Sequence, residues 1–569
     1  MIWHGVYELS ATLMLLGALF ILTIGWAAIA VRCVGLFNGK ALSIDHLWIG
    51  LVFLVSAVSA LHLFMPISWL LRLLICGAGL AGLYLVPNLA GQVVALKKNV
   101  CEQPKLAISV LVAVIVLCFK GLQVTNNFDT GLYHLQTIRW LNDYAIVPGL
   151  GNLHGRLAFN QSYFNLLAFL NIEPFATKGY VAAGIFLIIL CASSIVKLYN
   201  ALEVGRIWIV FSLGSGLAFT FNSLSSPAPD SAVAMLQIYM FICLIRFFIT
   251  RQSTSRVDFG LLATIIFVAC FIVTVKLSTL IFAAGSLVVL FPFMRHLSAK
   301  QFVTLKKIVG ICVLFFLVHF LRGYMLSGVP LFPTTYGALW NLPWAMSPVN
   351  VRGEAMWIYS WARLPGALPG DVLGNWSWLK PWLANLSTFA RLLFFIDVLL
   401  VLANVVFFFR HLGVNKKIGM YSVYLPLISA LIFWFLTAPD FRFLGAIPVL
   451  LASLAGLLCL MQIYENFNLA NFQMLKRKED LRTISRLCFG LVMLAISVYF
   501  LQPRSMTLRL ADPVPLAEMT QKTTNFGVTI GVAKDGLCWA NPLPCTWFVD
   551  DGLKLLNPAA GISAGFTLK

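Results

Sequence analysis

A chain of 569 residues that is 60% hydrophobic and only 11% charged, with a mean hydropathy of +0.89, matches membrane-spanning chains and no soluble class. Its net charge of +19 could suit a nucleic-acid partner, but the basic residues lie in short loops between apolar runs, where the positive-inside rule puts them. Composition therefore excludes nucleic acid and leaves membrane lipid as the expected surroundings.

The chain opens on "MIWHGVYELS", which lacks a basic n-region, and no small-residue cleavage site ends the first apolar run. A secretory signal peptide is not expected, and the first helix stays as a span. Crossing the hydrocarbon takes about 20 mostly apolar residues, and the sequence offers about fourteen such segments. They are predicted near 8–31, 46–64, 70–96, 106–120, 179–197, 207–223, 231–249, 257–275, 278–294, 308–321, 388–409, 420–437, 443–463 and 487–502. The expected fold is an all-α polytopic bundle of transmembrane helices. "SYFNLLAFLNI", 162–172, is too short to cross and suits an interfacial or re-entrant helix.

Loop charges set the orientation. Arg32 and Lys40; Lys97, Lys98 and Lys105; Lys197 and Arg206; Arg246, Arg251 and Arg256; Arg295, Lys300, Lys306 and Lys307; Arg410, Lys416 and Lys417; and Lys476, Arg477, Lys478, Arg482 and Arg486 would be cytoplasmic. Alternate loops then face outward, and three of these are long: 121–177, 322–387 and 503–569. They divide the chain into N-terminal helices (1–120), a transmembrane core (178–321) and C-terminal helices (388–502). Ten of the twelve cysteines sit in or beside spans, where cysteine acts as a small apolar residue. Cys538 and Cys545 in "CWANPLPC" lie in the outward tail, where an oxidising compartment permits a disulfide across a proline-containing turn.

A charge at bilayer depth is expensive, so one retained there lines a cavity or meets a partner. Five places carry such charges at the outward boundary. In "NNFDTGLYHLQTIRW", Asp129 stands at the start of a short predicted helix, as an N-cap or as an ionised base or metal ligand. Asp230 follows a proline pair in "SSPAPDSAVAMLQ" and reads as a cap or as a site carboxylate. Lys276 in "VTVKLSTLIF" is a lone cation that either snorkels to headgroups or meets an anion inside the bundle. Arg322 ends a span in "LRGYMLSGVPLFPTTYG", and Arg442 shares the tight turn "WFLTAPDFRFLGAIP" with Asp440, as that residue's partner, a headgroup ligand or a site cation. Arginine donates a planar fork to phosphate and lysine a point charge, so phosphate beside a carboxylate base is the chemistry this set suits.

With these outward charges the chain resembles GT-C glycosyltransferases, polytopic enzymes that take a sugar from a polyprenyl-phosphate carrier on the outer side of a membrane; more closely, "FDTGLYHLQTIRWLNDYAIVPGLGNLHGRLAFNQSYF", "LRGYMLSGVPLFP" and "APDFRF" resemble a branch of bacterial multi-pass membrane proteins. By that resemblance Asp129 would deprotonate or orient the acceptor, in some members with a divalent cation such as Mg or Mn. Arg442, Lys276 and Arg322 would hold the carrier phosphate, with Asp230 lining the same site and His134, His154 and Arg156 as loop partners. The resemblance implies a polyprenyl-phosphate sugar donor, a glycan, lipid or protein acceptor, and a bacterial cytoplasmic (inner) membrane with the site facing outward. Many GT-C loops carry two adjacent acids, whereas Asp129 is flanked by Phe128 and Thr130, which leaves metal dependence open. A transporter, a flippase or a polymerase component of surface-polysaccharide assembly would also place arginine and aspartate in an outward cavity.

Overall fold

The computed structural model describes residues 2–36, 42–125, 127–254, 256–410, 418–466, 511 and 513–569. The span expected over 487–502, the tail residues 503–510 and the loop cations Lys40, Lys416, Lys417, Lys476, Arg477, Lys478, Arg482 and Arg486 lie outside the described residues.

Hydrocarbon offers no water to backbone N–H and C=O groups, so long apolar runs close their hydrogen bonds internally as helices. Among the described residues ten helices are long and apolar enough to cross a membrane, and the chain is a multi-pass membrane protein. The first five helices are α1 (Ile2–Val34), α2 (Ile44–Leu61), α3 (Trp69–Leu83), α4 (Leu89–Glu102) and α5 (Pro104–Gly121). The loop after α5 holds a π-helical turn (Thr130–His134), α6 (Leu135–Asp143), α7 (Leu150–Leu153) and α8 (Tyr163–Leu170). Then follow α9 (Val181–Ala201), α10 (Arg206–Asn222), α11 (Pro229–Thr254), α12 (Phe259–Val275), α13 (Leu280–Leu290) and α14 (Ala299–Ser327). The next loop carries α15 (Pro348–Arg363), α16 (Pro369–Val372) and α17 (Leu379–Asn385). After it come α18 (Thr388–Arg410), α19 (Ile418–Tyr421), α20 (Tyr424–Thr437), α21 (Phe441–Leu444) and α22 (Ile447–Asn466).

One expected span is two helices. The run 70–96 breaks between α3 and α4, where Pro87 lacks an N–H and disfavours helix at the residue before it, and Asn88 turns left-handed at φ 46°. Close packing explains the apolar side of α3: a Cβ on Gly25 of α1 would sit 1.7 Å from the carbonyl oxygen of Gly79, so only glycine lets these backbones touch. At the centre lies α11, whose apolar stretch is 94% buried, consistent with a helix that is hydrophobic on all sides. Arg246, grouped above with the loop cations, lies inside α11 instead. Asp45 at the start of α2 explains this burial: Arg246 donates to both of its oxygens (2.8 and 3.2 Å), Tyr239 donates to it at 3.1 Å, and Lys197 completes the cluster.

The three long segments meet on one face of the bundle. All eight residues of α8 are buried, so this short helix is enclosed by the protein. The C-terminal segment folds as two small sheets, β1 (Met519–Thr523) and β2 (Thr529–Ala533) antiparallel with β3 (Cys545–Thr546) parallel to β2, then β4 (Lys554–Leu555) antiparallel to β5 (Phe566–Thr567). Cys538 and Cys545 form a disulfide that closes the turn before β3. This segment lies on the first loop and the second: Trp539 N–H donates to Gly131 at 2.9 Å, Phe566 N–H to Pro148 at 2.9 Å, and Thr567 Oγ1 to Pro343 at 2.7 Å.

Candidate functional site

Four charges from four separate segments converge on this face. Asp129 stands at the entrance to the π-helical turn yet makes no capping bond with its side chain; it accepts from Arg442 Nη1 at 2.8 Å. Asp230 lies in the first turn of α11, where its carboxylate pairs with Lys276 and lies 3.8 Å from Arg442 Nε. Lys276 caps the end of α12 in an extended conformation, which ends that helix and turns the ammonium toward Asp230. Arg442 is placed by the turn between α20 and α22, in which Asp440 accepts from the Arg442 backbone N–H (2.9 Å) and caps α21, leaving the guanidinium free for Asp129. The Asp129 side chain makes no helix-cap bond, the Asp230 carboxylate pairs with Lys276, and Arg442 pairs across 313 residues of sequence.

Both cations rest on one ring. Lys276 Nζ lies 4.3 Å and the Arg442 guanidinium 5.0 Å from the centre of Phe443, each contact contributing about 0.5–2 kcal/mol depending on desolvation. The cluster stays open: the Arg442 side chain is 40% exposed and that of Asp129 24%. Burial works against the charge of Arg442, but the carboxylates of Asp230 and Asp129 hold its pKa above the ordinary arginine value.

Behind the cluster the environment is closed and neutral. Burial pushes the His134 imidazole down to about 4 despite the nearby carboxylates of Asp129 and Asp230, and its Nδ1 has no hydrogen-bond partner. Burial likewise pushes the Tyr133 phenol up. His134 is therefore uncharged at neutral pH and is no phosphate cation. Thr130 Oγ1 and Ser226 Oγ, 2.8 Å apart, tie the π-helical turn to the approach to α11 and so fix Asp129 relative to Asp230.

The remaining predicted residues lie elsewhere. His154 is buried, and its ring accepts from the backbone N–H of Arg156 at 3.0 Å; burial first, then the Arg156 charge, lowers it to about 4. Arg156 forms an ion pair with Glu354 of α15 at 2.8 Å. Arg322 is buried away from the other two cations, donating to His62 (2.8 Å), Asn165 (3.2 Å), Asn160 (3.3 Å) and the Ser59 carbonyl (3.3 Å). Two water-sized cavities flank it. Phe159 and Phe164 line one of these and pack against Tyr133. Two participants had no signal of their own in the sequence. Phe443 was legible only as the neighbour of Arg442, and Trp539 not at all; the clue to it is Gly131, where a Cβ would come within 2.7 Å of the indole.

The donor set does not suit a divalent ion. Asp129 and Asp230 face two cations, and among the described residues no third His, Cys, Asp or Glu joins them to form a ligand group, so a metal would have to displace the guanidinium. What the arrangement can do is exchange partners: an incoming anion that takes the guanidinium of Arg442 releases Asp129 beside it, while Asp230 stays between Arg442 and Lys276.

Over residues 10–449 the chain matches the family described as Domain of unknown function (DUF8201), and it belongs to that family. Asp129, Asp230, Lys276 and Arg442 all fall within the matched residues, while the disulfide-bearing segment lies beyond them. No curated protein and no solved structure matches the chain.

Proposed function

We propose that this member of the DUF8201 family is a GT-C-like membrane glycosyltransferase that moves a sugar from a polyprenyl-phosphate donor to a glycan, lipid or protein acceptor on the outer face of a bacterial inner membrane. The observation that carries the reading is the convergence of Asp129, Asp230, Lys276 and Arg442 in an open cluster beside Phe443. Two carboxylates balance two cations in the resting site. A lipid-linked phosphodiester arriving there would take the guanidinium fork of Arg442 and the ammonium of Lys276. Asp129 would then lose its partner next to a new negative charge, which raises its basicity at the moment a base is needed.

In the reaction the acceptor hydroxyl gives its proton to Asp129 and its oxygen attacks the anomeric carbon. The bond from that carbon to the phosphate oxygen breaks, with its electron pair leaving on the phosphate. Arg442 and Lys276 stabilise the added charge, so no general acid is required. Asp230 keeps both cations oriented throughout.

Purified protein in lipid vesicles, given a labelled polyprenyl-phosphate sugar, tests this directly. Transfer or release of the sugar that disappears in Asp129→Asn is the expected result. Retained transfer in that variant would remove Asp129 from the chemistry, and movement of the intact lipid between leaflets without cleavage would replace the transferase with a flippase.

A further inference from the structure

A second set of polar groups lies inside the bundle, apart from the four-charge site. Asp397 occurs on α18 in the apolar run "LLFFIDVLLVLANVV" and is only 4% exposed. It stands about 14 Å along the helix from Thr388, a depth inside the hydrocarbon. Neither carboxyl oxygen has a hydrogen bond in good geometry, although the backbone N–H of Ala452 on α22 faces it. Further along the α18–α22 seam, Asn404 donates to Ala455 (2.7 Å) and to Cys459 Sγ (3.1 Å), leaving its own oxygen without a partner. Gln462 bonds Tyr421 and also keeps a partnerless oxygen, and the Tyr424 hydroxyl has no bond. The titratable groups gathered with Asp397 around Tyr424 are Tyr421 and Cys459.

Unpaired polar atoms in hydrocarbon are costly, and an unpaired carboxylate most of all, so the group must be neutralised. Hard metal cations require about six oxygen ligands on one centre, whereas Asp397 has its own two oxygens with Tyr424 nearby, and the oxygen of Asn404 lies about 10 Å further along α18. A proton needs one oxygen. We propose that Asp397 is a reversible proton-binding site, reached along the Tyr424, Asn404 and Gln462 seam from the end of α18 remote from the four-charge site. Proton release leaves a carboxylate that needs water, and the partnerless oxygens of Asn404 and Gln462 are where water can lodge. Packing of α18 on α22 is therefore linked to protonation. This does not depend on the transferase reading.

The test uses the full chain in detergent or vesicles. Dicyclohexylcarbodiimide adds to protonated carboxyl groups in apolar surroundings, and peptide mass spectrometry locates the adduct. Asp397 is expected to label, with labelling falling about tenfold per pH unit once the group ionises. The infrared C=O band of a protonated carboxyl should vanish over the same pH range and be missing in Asp397→Asn, while Asp397→Glu keeps both signals. Absence of both the adduct and the band from the wild-type protein would overturn the proposal. Protection from labelling by sodium chloride but not by choline chloride would also overturn it, in favour of a metal-cation site.

Discussion

The two ion clusters at the ends of α11 contain the same residue types and do opposite work. Asp230 and Arg246 lie about 24 Å apart along that helix, each with a lysine from another segment. Around Asp45 the carboxylate is satisfied by Arg246, Lys197 and Tyr239; the paired arginine side chain is 10% exposed, and Lys197 alone reaches outward, at 35%. Around Asp230 one more carboxylate is present: Arg442 pairs with Asp129 at 2.8 Å, lies 3.8 Å from Asp230, and its side chain is 40% exposed. A closed cluster has no valence left for a ligand and can only lock helices together. An open, charge-balanced one can trade partners with an incoming anion, which is why the second cluster and not the first is read as a site.

Removing one member from each end should separate the two roles. Asp45→Ala strands Arg246 in the interior and should cost about 3–5 kcal/mol. Thermal unfolding in detergent would show this, with transfer per folded molecule unchanged. Next in size is acid sensitivity at the wall behind the open cluster. His134 is lowered from 6.5 to about 4, so the folded state favours the neutral ring. Its contribution is complete above pH 6.5 and is lost as pH falls toward 4. The loss amounts to about 3 kcal/mol, and a stability-against-pH series should show a shallower acid limb in His134→Gln.

Asp230→Asn should lower kcat about a hundredfold by freeing both phosphate-binding cations from their orientation, with only a small change in melting temperature because the cluster is partly solvated. An equal fall in stability would erase the contrast with Asp45. Arg442→Lys keeps the charge but loses the fork, and should raise the donor KM about tenfold. The smallest effect is expected from Phe443→Leu, which removes about 1 kcal/mol of ring contact and should raise the same KM a few-fold.

Position along the helices was legible in the sequence, whereas position around the bundle was not. Apolar runs interrupted by charge identified Asp129, Asp230, Lys276 and Arg442 as boundary residues, since an ionised group is confined there by its hydration. By the same criterion Arg322 looked equivalent, yet the structure gives it neutral partners in Asn160, Asn165 and His62. A hydropathy profile is one-dimensional and cannot say which helix faces which. Pro87 shows the converse case: the sequence carried the signal, but the apolar run 70–96 concealed it, and the expected single span passed over the break after α3. Cys538 and Cys545 were found as a pair because the turn between them is local, but nothing local ties Trp539 to Gly131.

That last contact sets an order of events during synthesis. Gln136 donates to the carbonyls of Trp539 (3.0 Å) and Asn541 (2.9 Å), residues made some 400 positions later in the chain. A ribosome therefore produces the loop bearing Asp129 long before the segment that lies on it. Until that segment reaches the same face, a growing chain holds its first long loop without the contacts that shape it, so this face is assembled after the helices that surround it.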